Sequence, residues 1–143
     1  MVNQNPQPEF YTTRHSFTTA DTNGSVNTVQ IYTNQSFNEE VRIYGLMVTA
    51  VDVNGNELNY AGSADVRNFD ISIQAGPNRI PSTAMDGGRI IRAEDRTLAF
   101  SSPVLVLHRQ PLQVSLEWTG GSAPSANLTF VVTLISEMYI REE

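Results

Sequence analysis

Histidines are the residues of this chain best suited to acid–base or metal chemistry, and there are two of them, His15 and His108. A nucleophilic triad needs a histidine within hydrogen-bond reach of a serine or threonine, and an acid that orients the ring. The sequence contains no Gly-x-Ser-x-Gly motif to present such a serine. It also contains no His-x-His pair that would offer two imidazoles to one metal ion. We therefore interpret both histidines as loop or strand-end residues satisfied by solvent.

Carboxylates occur as sequence neighbours at Glu39-Glu40, Glu94-Asp95 and Glu142-Glu143. A glycosidase needs two carboxylates that flank one bond, whereas neighbours on a strand point to opposite faces. None of these pairs can supply both an acid and a base to the same bond, so we interpret them as solvated surface charge. A two-carboxylate site built from distant residues stays open on the sequence alone.

The segment from Asp52 to Glu57 places side-chain oxygens at alternate positions, as the start of a calcium loop does. Its glycine, Gly55, stands at the fourth place, where the EF-hand needs glycine at the sixth, and Ser63 occupies the twelfth place, where a bidentate glutamate is required. The dipeptide Asn54-Gly55 predicts a β-hairpin instead, since both central residues of a type I′ turn need positive φ. We expect no metal ion and no cofactor.

The composition excludes several classes of mechanism. The 143 residues include no cysteine and no lysine. The chain therefore has no disulfide framework, no thiolate ligand, no Schiff-base lysine and no phosphate-binding lysine of a P-loop. Its net charge is −6, and its nine basic residues are scattered arginines, whereas affinity for a phosphate backbone rests on clustered positive charge. We predict a protein that is not an enzyme and does not bind nucleic acid directly.

Apolar runs are short throughout the chain, the longest being Val104–Leu107 and Phe130–Val132. Crossing a bilayer takes roughly 18 apolar residues in one helix. The polar, proline-bearing start of the chain also lacks the basic and apolar regions of a signal peptide. We therefore expect a protein made in the cytoplasm of its host that does not enter a membrane.

Apolar and polar residues alternate cleanly in two segments, 69–74 and 112–118. Such alternation predicts strands with one wet face, and it places Trp118 on the core side of the second strand. Two longer segments, 41–53 and 127–140, are apolar at both parities, which predicts strands that lie between two layers.

A strict period of two sorts the side chains of segment 41–53 onto two faces. It puts Ile43, Met47, Val51 and Val53 on one face, and Tyr44, Leu46, Val48 and Ala50 on the other.

Turn residues cut the chain into segments of strand length, and no window of eleven or more residues has an apolar stripe at helical spacing. This pattern predicts an all-β fold, an antiparallel β-sandwich that forms a jelly roll of about eight strands. The least regular stretch, 76–94, contains Pro77, Pro81, Gly87 and Gly88, and predicts loops around one short strand.

The N-terminal segment 1–15 is rich in Asn, Gln and Pro and shows no period. It predicts an extended arm outside the sandwich domain, which would comprise residues 16–143, and arms of this kind often become ordered against a neighbour. We expect the arm and the irregular stretch to supply the contacts with a partner. The predicted interface residues are Phe10, Tyr11, Arg14, Arg79, Arg89 and Arg92.

The series of turns and strands from Phe17 onward covers most of the chain. It runs from Asn23-Gly24 into Val29-Gln30-Ile31, through Phe37, 41–53, 69–73 and Pro103-Val104-Leu105, to 112–118, which Gly120–Ala123 joins to 128–134. This order resembles a group of small jelly-roll virion proteins of bacteriophages, of the capsid decoration, vertex or minor structural kind. The resemblance implies a non-enzymatic structural protein of the virion, with no cofactor. It would assemble as a symmetric homo-oligomer, a trimer or pentamer, and contact capsid or other virion proteins.

A second interpretation is a carbohydrate-binding or receptor-binding module of the adhesin kind. Aromatic side chains on a β-sandwich surface could stack on a surface glycan, whereas the Trp118 ring is expected in the core. The candidate sugar platforms are Tyr11, Tyr32, Tyr60 and Tyr139.

Overall fold

A computed structural model describes residues 7–31, 39–76, 78–93, 95–107 and 110–140, with the backbone alone described for residues 78–84. Within these described residues there are nine strands, one short 3-10 helix, Asp65–Arg67, and one short α-helix, α1, Gly87–Arg92. The strands are β1 Gln7–Phe17, β2 Val26–Ile31, β3 Glu39–Asp52, β4 Glu57–Leu58, β5 Phe69–Ala75, β6 Asn78–Asp86, β7 Thr97–Val106, β8 Leu112–Trp118 and β9 Leu128–Ile140.

The strands form two antiparallel sheets that pack face to face. Sheet 1 has the order β1-β9-β3-β7, with the two-residue β4 beside the far end of β3, and sheet 2 has the order β2-β8-β5-β6. Leaving β4 aside, the first strand pairs with the last, the second with the next to last, and so on inward to β5 with β6. A long hairpin rolled into a sandwich has this nested pairing, which is the jelly roll. The predicted fold class is confirmed.

The core lies between the two sheets and is filled from both sides by alternate strand positions. In β8 and β5, the apolar residues of the alternating segments are all buried, as the sequence predicts. Four aromatic rings meet at one end of the core. Phe17 lies 5.9 Å from both Trp118 and Phe130, and Phe69 lies 4.1 Å from Phe130, measured between ring centroids. The predicted core position of Trp118 is confirmed, and its indole Nε1 donates to the Ser122 carbonyl at 3.0 Å.

A bulge in β3 changes the side-chain faces that a strict period of two assigns. The pairing with both neighbours shifts between Ile43 and Gly45, so Tyr44 is the extra residue of the bulged strand. Ile43 therefore shares the core face with Leu46, whereas Met47 points out of the sandwich and is 37% exposed. The prediction that Ile43 and Met47 share a face is wrong, because one inserted residue exchanges the faces of everything before it.

The turn at Asn54-Gly55 closes a hairpin between β3 and β4, as predicted, but by a different turn. Only Gly55 has positive φ (82°), and Asn54 does not, so the type I′ assignment is wrong. The Asp52 carboxylate supplies the reason, since its Oδ1 accepts from the backbone N–H groups of Asn54 and Asn56, each at 2.9 Å. This local hydrogen bonding stabilises the turn without a left-handed asparagine.

The stretch 76–94 is more regular than its composition predicts. Its first part forms β6, a nine-residue edge strand that tolerates Pro81, and its second part forms α1. The Asp86 side chain begins the helix by accepting from Gly88 N–H at 3.0 Å. Gly87 lets the helix sit against the core, because a Cβ at this position would overlap the Phe69 ring. The prediction of loops around one short strand is therefore wrong.

The segment predicted as an arm lies largely within the sandwich. Residues 7–15 belong to β1, which pairs along its whole length with β9, from Gln7 opposite Met138 to Phe17 opposite Leu128. Residues 1–6 lie outside the described part. The domain as the structure describes it thus begins at Gln7 or earlier, and β1 is an edge strand of sheet 1. Sequence period fails here because two of its inward positions, Thr13 and His15, are polar.

Candidate functional site

β1 carries three of the predicted interface residues and separates them onto two faces. Phe10 and Arg14 point away from the sandwich, and Phe10 is 64% exposed. Tyr11 points inward, is half-buried and packs against the core. Burial raises the pKa of Tyr11, and the nearby Glu9 carboxylate adds to that rise. Phe10 and Arg14 can therefore contact the same partner surface, whereas Tyr11 serves the domain itself.

The outward side of sheet 1 combines apolar side chains with hydroxyls and a few charges, and we call it the sheet 1 outer face. Its members alternate with the core residues of the same strands. They are Pro8, Phe10, Thr12, Arg14 and Ser16 in β1, Thr129, Val131, Thr133, Ile135 and Glu137 in β9, Arg42, Gly45, Met47, Thr49 and Val51 in β3, and Thr97, Ala99 and Leu105 in β7.

One row across the sheet 1 outer face contains no polar side chain. Phe10 lies opposite Ile135, Ile135 opposite Gly45, and Gly45 opposite Ala99, so the row crosses all four strands. The exposed fractions of Met47 (37%) and Leu105 (48%) show that no described segment of the chain covers this face. The two-layer environment predicted for β3 and β9 is therefore not supplied by the described part of this chain.

The outward side of sheet 2, the sheet 2 outer face, is polar instead. Its members on the paired strands are Thr28, Gln30, Asp70, Ser72, Gln74, Gln113, Ser115 and Glu117, with Val26 as an exposed apolar exception. Asp70 pairs with Asp86 on one side and Glu117 on the other, which forms an acidic row. Partial burial raises the pKa of Asp70, and repulsion by Asp86 and Glu117 raises it further. The two outer faces of the molecule thus differ in chemistry.

A cluster of two tyrosines, Arg42 and Glu40 joins β3 and β9 at one end of the sheet 1 outer face. The Tyr44 and Tyr139 hydroxyls are hydrogen-bonded at 2.7 Å, and the Arg42 guanidinium lies 4.2 Å from the Tyr139 ring centroid. Arg42 Nη2 also pairs with Glu40 at 3.0 Å, while Arg42 Nε is buried and has no hydrogen-bond partner among the residues that the structure describes. The hydrogen bond with Tyr44 is the main cause that raises the pKa of Tyr139 to about 12. Sequence reasoning missed this cluster because the bulge brings Tyr44 to it.

The other predicted interface residues lie on or near α1. Arg89 and Arg92 border a cleft of about 160 Å³, together with Tyr60, Arg67, Asp86 and Gly88. Arg79 lies in β6, in the part of the strand whose side chains are not described. Arg67 was not predicted, and no local spacing links it to Arg89, since the 3-10 helix and α1 are brought together only by folding. A second, more apolar cleft of about 380 Å³ lies between α1 and β7.

His15 is fully buried and both of its ring nitrogens have partners. Nδ1 lies 3.1 Å from the Asn27 backbone carbonyl, which can only accept, so Nδ1 donates the proton. Nε2 then accepts from the Thr13 hydroxyl at 2.7 Å. Burial lowers the pKa of His15, although the hydrogen bonds to Asn27 partly oppose this. The predicted solvent-satisfied role is wrong for His15, which is a structural link between β1 and β2, and His108 lies outside the described residues.

The paired carboxylates have separate structural tasks where they are described. Glu40 is buried in its ion pair with Arg42, and Asp95 Oδ1 accepts from the Thr97 N–H at 3.2 Å. Asp52, the first residue of the calcium-loop pattern, is occupied by its own turn. Glu94, Glu142 and Glu143 lie outside the described residues.

Over the described ranges, no cluster of three or more His, Cys, Asp or Glu side chains that could hold a metal ion occurs. In the same ranges, no helix has the length and apolarity that crossing a bilayer requires.

The tyrosines predicted as sugar platforms do not present free ring faces where they are described. Tyr11 faces the core. The Tyr60 ring has the Arg67 guanidinium 4.3 Å above it, and Arg42 lies over Tyr139. Tyr32 lies outside the described residues. Among the described residues, the most exposed aromatic side chain is Phe10, on the sheet 1 outer face.

Comparisons with known proteins found similarity at the level of structure only. No family model and no curated protein matches the chain. The virus-like particle of extra small virus from the giant freshwater prawn Macrobrachium rosenbergii is 6% identical, with a TM-score of 0.35, over 95% of this chain and 81% of that one. The VP2 subviral particle of infectious bursal disease virus is 12% identical, with a TM-score of 0.38, over 95% of this chain and 38% of that one.

A third similar structure is not viral. It belongs to a family of disulfide-linked pili, the Bacillus endospore appendages, and is 14% identical with a TM-score of 0.29, over 98% of this chain and 94% of that one. All three TM-scores lie below 0.5, so the chain's own strand order is what identifies the jelly roll.

Proposed function

We propose that this chain is a non-enzymatic structural protein of a virion. It would be a decoration, vertex or minor capsid protein that is made in the host cytoplasm and assembles as a symmetric oligomer on a phage particle. The fold supports this, because viral capsid proteins are one of the classes that use eight-stranded jelly rolls. Lectins and cupins use them too, so the fold alone does not decide between these functions.

The observation that carries the proposal is the sheet 1 outer face. Its central row of Phe10, Ile135, Gly45 and Ala99 is apolar from edge to edge, and Phe10 is 64% exposed. A contiguous apolar surface on a folded domain is typical of a contact with another protein. Burying this surface against a partner would remove apolar area from water, which stabilises the contact by about 25 cal/mol per Å².

A second copy of this chain is the occupant that the charges favour. The chain carries a net charge of −6, so most approaches between copies bring like charges together. The sheet 1 outer face avoids that repulsion, because its acid Glu137 is accompanied by the basic residues Arg14 and Arg42, whereas the sheet 2 outer face presents the acidic row around Asp70. Symmetry would then multiply one modest contact into a closed oligomer.

Sedimentation velocity of the purified chain, followed by incubation with particles that lack it, tests this proposal. The expected result is one closed oligomer, a trimer or pentamer, that co-sediments with the particles. A monomer at every concentration with no affinity for particles would contradict it. A glycan array run beside these measurements distinguishes the alternative, since saturable sugar binding by a monomer would favour the carbohydrate-binding module.

A further inference from the structure

Arginine side chains from two separate elements converge on the 160 Å³ cleft beside α1. Arg67 comes from the 3-10 helix, and Arg89 and Arg92 come from α1. Tyr60 forms the wall between them, with the Arg67 guanidinium 4.3 Å and the Arg92 guanidinium 5.7 Å from its ring centroid. Two cations therefore share one aromatic ring.

Arg67 is held in place by the backbone beside it. Its Nε and Nη2 groups donate to the Tyr60 carbonyl at 3.1 and 2.8 Å, which fixes the plane of the guanidinium. A fixed guanidinium loses less conformational entropy when it binds an oxyanion than a free one does. Within the described ranges, neither Arg67 nor Arg92 forms an ion pair, so their charge is not neutralised by this part of the chain.

Asp86 is the acid that lines the cleft, and its carboxylate is already engaged. One oxygen accepts from Gly88 N–H at 3.0 Å and the other lies 3.7 Å from Arg89 Nε. Counting the lining residues, three arginines and one aspartate leave a local charge of +2 on a chain whose net charge is −6. An anionic group is thus the ligand that this cleft attracts.

Gly88 is what allows the arginines to converge. A Cβ at this position would lie 2.8 Å from the Arg67 backbone oxygen, which is closer than real side chains approach a backbone atom. Only glycine lets the first turn of α1 pack directly on the 3-10 helix. The convergence of Arg89 and Arg92 with Arg67 therefore rests on a rigid contact between two elements rather than on three flexible side chains meeting by chance.

We propose that this cleft binds carboxylate side chains of an acidic peptide segment on a partner protein. A pair of guanidinium groups can bind carboxylates through parallel N–H···O bonds. A carboxylate source is favoured over a nucleic acid because Asp86, which lines the cleft, also begins the acidic row Asp86–Asp70–Glu117 across sheet 2. That row repels the extended phosphate backbone that a nucleic acid would lay across it, whereas a short acidic segment can end in the cleft. The site is independent of the sheet 1 outer face.

Isothermal titration of the full chain with a blocked hexaglutamate peptide at low salt tests the site. Arg92→Gln is the first variant, because Arg92 is exposed, and its fold is checked by circular dichroism. We expect binding to weaken at least about tenfold, since one charge-assisted hydrogen bond is removed. Arg92→Lys should recover only part of the loss, because lysine keeps the charge but not the planar pair of donors. Arg67→Gln, with its fold checked by circular dichroism, should weaken binding similarly.

Arg96→Gln is the control, since it removes one positive charge from a residue that does not line the cleft and should leave hexaglutamate binding unchanged. Equal loss in Arg96→Gln and Arg92→Gln would overturn the proposal by showing that only net charge matters. So would the absence of any binding to hexaglutamate. Inorganic phosphate and a single-stranded DNA oligonucleotide are titrated in parallel, and tighter binding of either one than of hexaglutamate would overturn the choice of carboxylate.

Discussion

His15 lies in the core at 0% exposure, and its environment is made for the neutral ring. The Asn27 carbonyl accepts a hydrogen bond from Nδ1–H, and the Thr13 hydroxyl donates one to Nε2. A second proton, on Nε2, would face that hydroxyl and would bring a charge into an apolar interior. Protonation of Nε2 therefore carries a free-energy cost. This cost makes the stability of the contact between β1 and β2 depend on pH.

The free energy of unfolding should fall as the solution is acidified, and His15 should account for part of this. Because burial lowers the pKa of His15 in the folded state, the unfolded chain takes up the proton first, beginning near its ordinary value of 6.5. The stabilisation is complete above pH 6.5 and is lost as the pH falls through 6.5 towards the folded pKa. Urea unfolding at a series of pH values measures this.

His15→Gln should flatten that part of the profile, since glutamine does not titrate. Equal slopes below pH 6.5 in the wild type and in His15→Gln would show that His15 does not link stability to pH.

The bulge in β3 is the decisive feature at the scale of elements. Because of the bulge, the residues before Tyr44 and the residues after it direct their core side chains to the same face of the sheet. The bulge also places Gly45 against β7. A Cβ at Gly45 would collide with the Leu98 backbone oxygen. Because the bulge depends on this close approach of two backbones, β3 cannot move aside to make room for a side chain at Gly45.

Gly45→Ala should therefore destabilise the protein by about 1–3 kcal/mol, the range for forcing extra atoms into a packed site. The matched control is Gly121→Ala, where an added Cβ meets nothing within 4 Å. That change should alter stability by less than about 0.5 kcal/mol. Chemical denaturation of the two variants beside the wild type gives both numbers, and equal stability of all three would refute the packing role of Gly45.

Sequence period predicts the elements whose inward residues are apolar, and it fails where other forces decide. In β5 the inward residues are Phe69, Ile71 and Ile73, and in β8 they are every second residue from Leu112 to Trp118. Both predicted strands are confirmed. β1 is not predicted from the sequence, because its inward residues His15 and Thr13 are polar and form a hydrogen bond with each other inside the core. This polar pattern predicts an arm instead of a strand. The candidate sites are harder to predict from the sequence than the strands are. Folding brings Tyr44 to Tyr139, and Arg67 towards Arg92, from distant parts of the chain.

At the scale of the whole molecule, the two outer faces divide the work. The sheet 2 outer face carries hydroxyls, amides and the acidic row, which suits contact with water. The sheet 1 outer face carries the apolar side chains Met47, Val51, Val131 and Ile135 on its two longest strands, β3 and β9, although the described chain provides no layer to cover them. A second copy of the chain would supply that missing layer, which explains why both long strands are apolar at both parities.

Introducing one charge at the centre of each outer face tests this account most directly. Thr133 in β9 and Ser115 in β8 are matched, since each is a hydroxyl residue on a central strand and faces outward, opposite Thr12 and Thr28 respectively. Sedimentation velocity of Thr133→Glu and Ser115→Glu, with circular dichroism to confirm that both fold, compares the two faces. The account predicts that Thr133→Glu is a monomer and that Ser115→Glu keeps the oligomer of the wild type. An oligomer that survives Thr133→Glu, or that is lost equally in both variants, would contradict it.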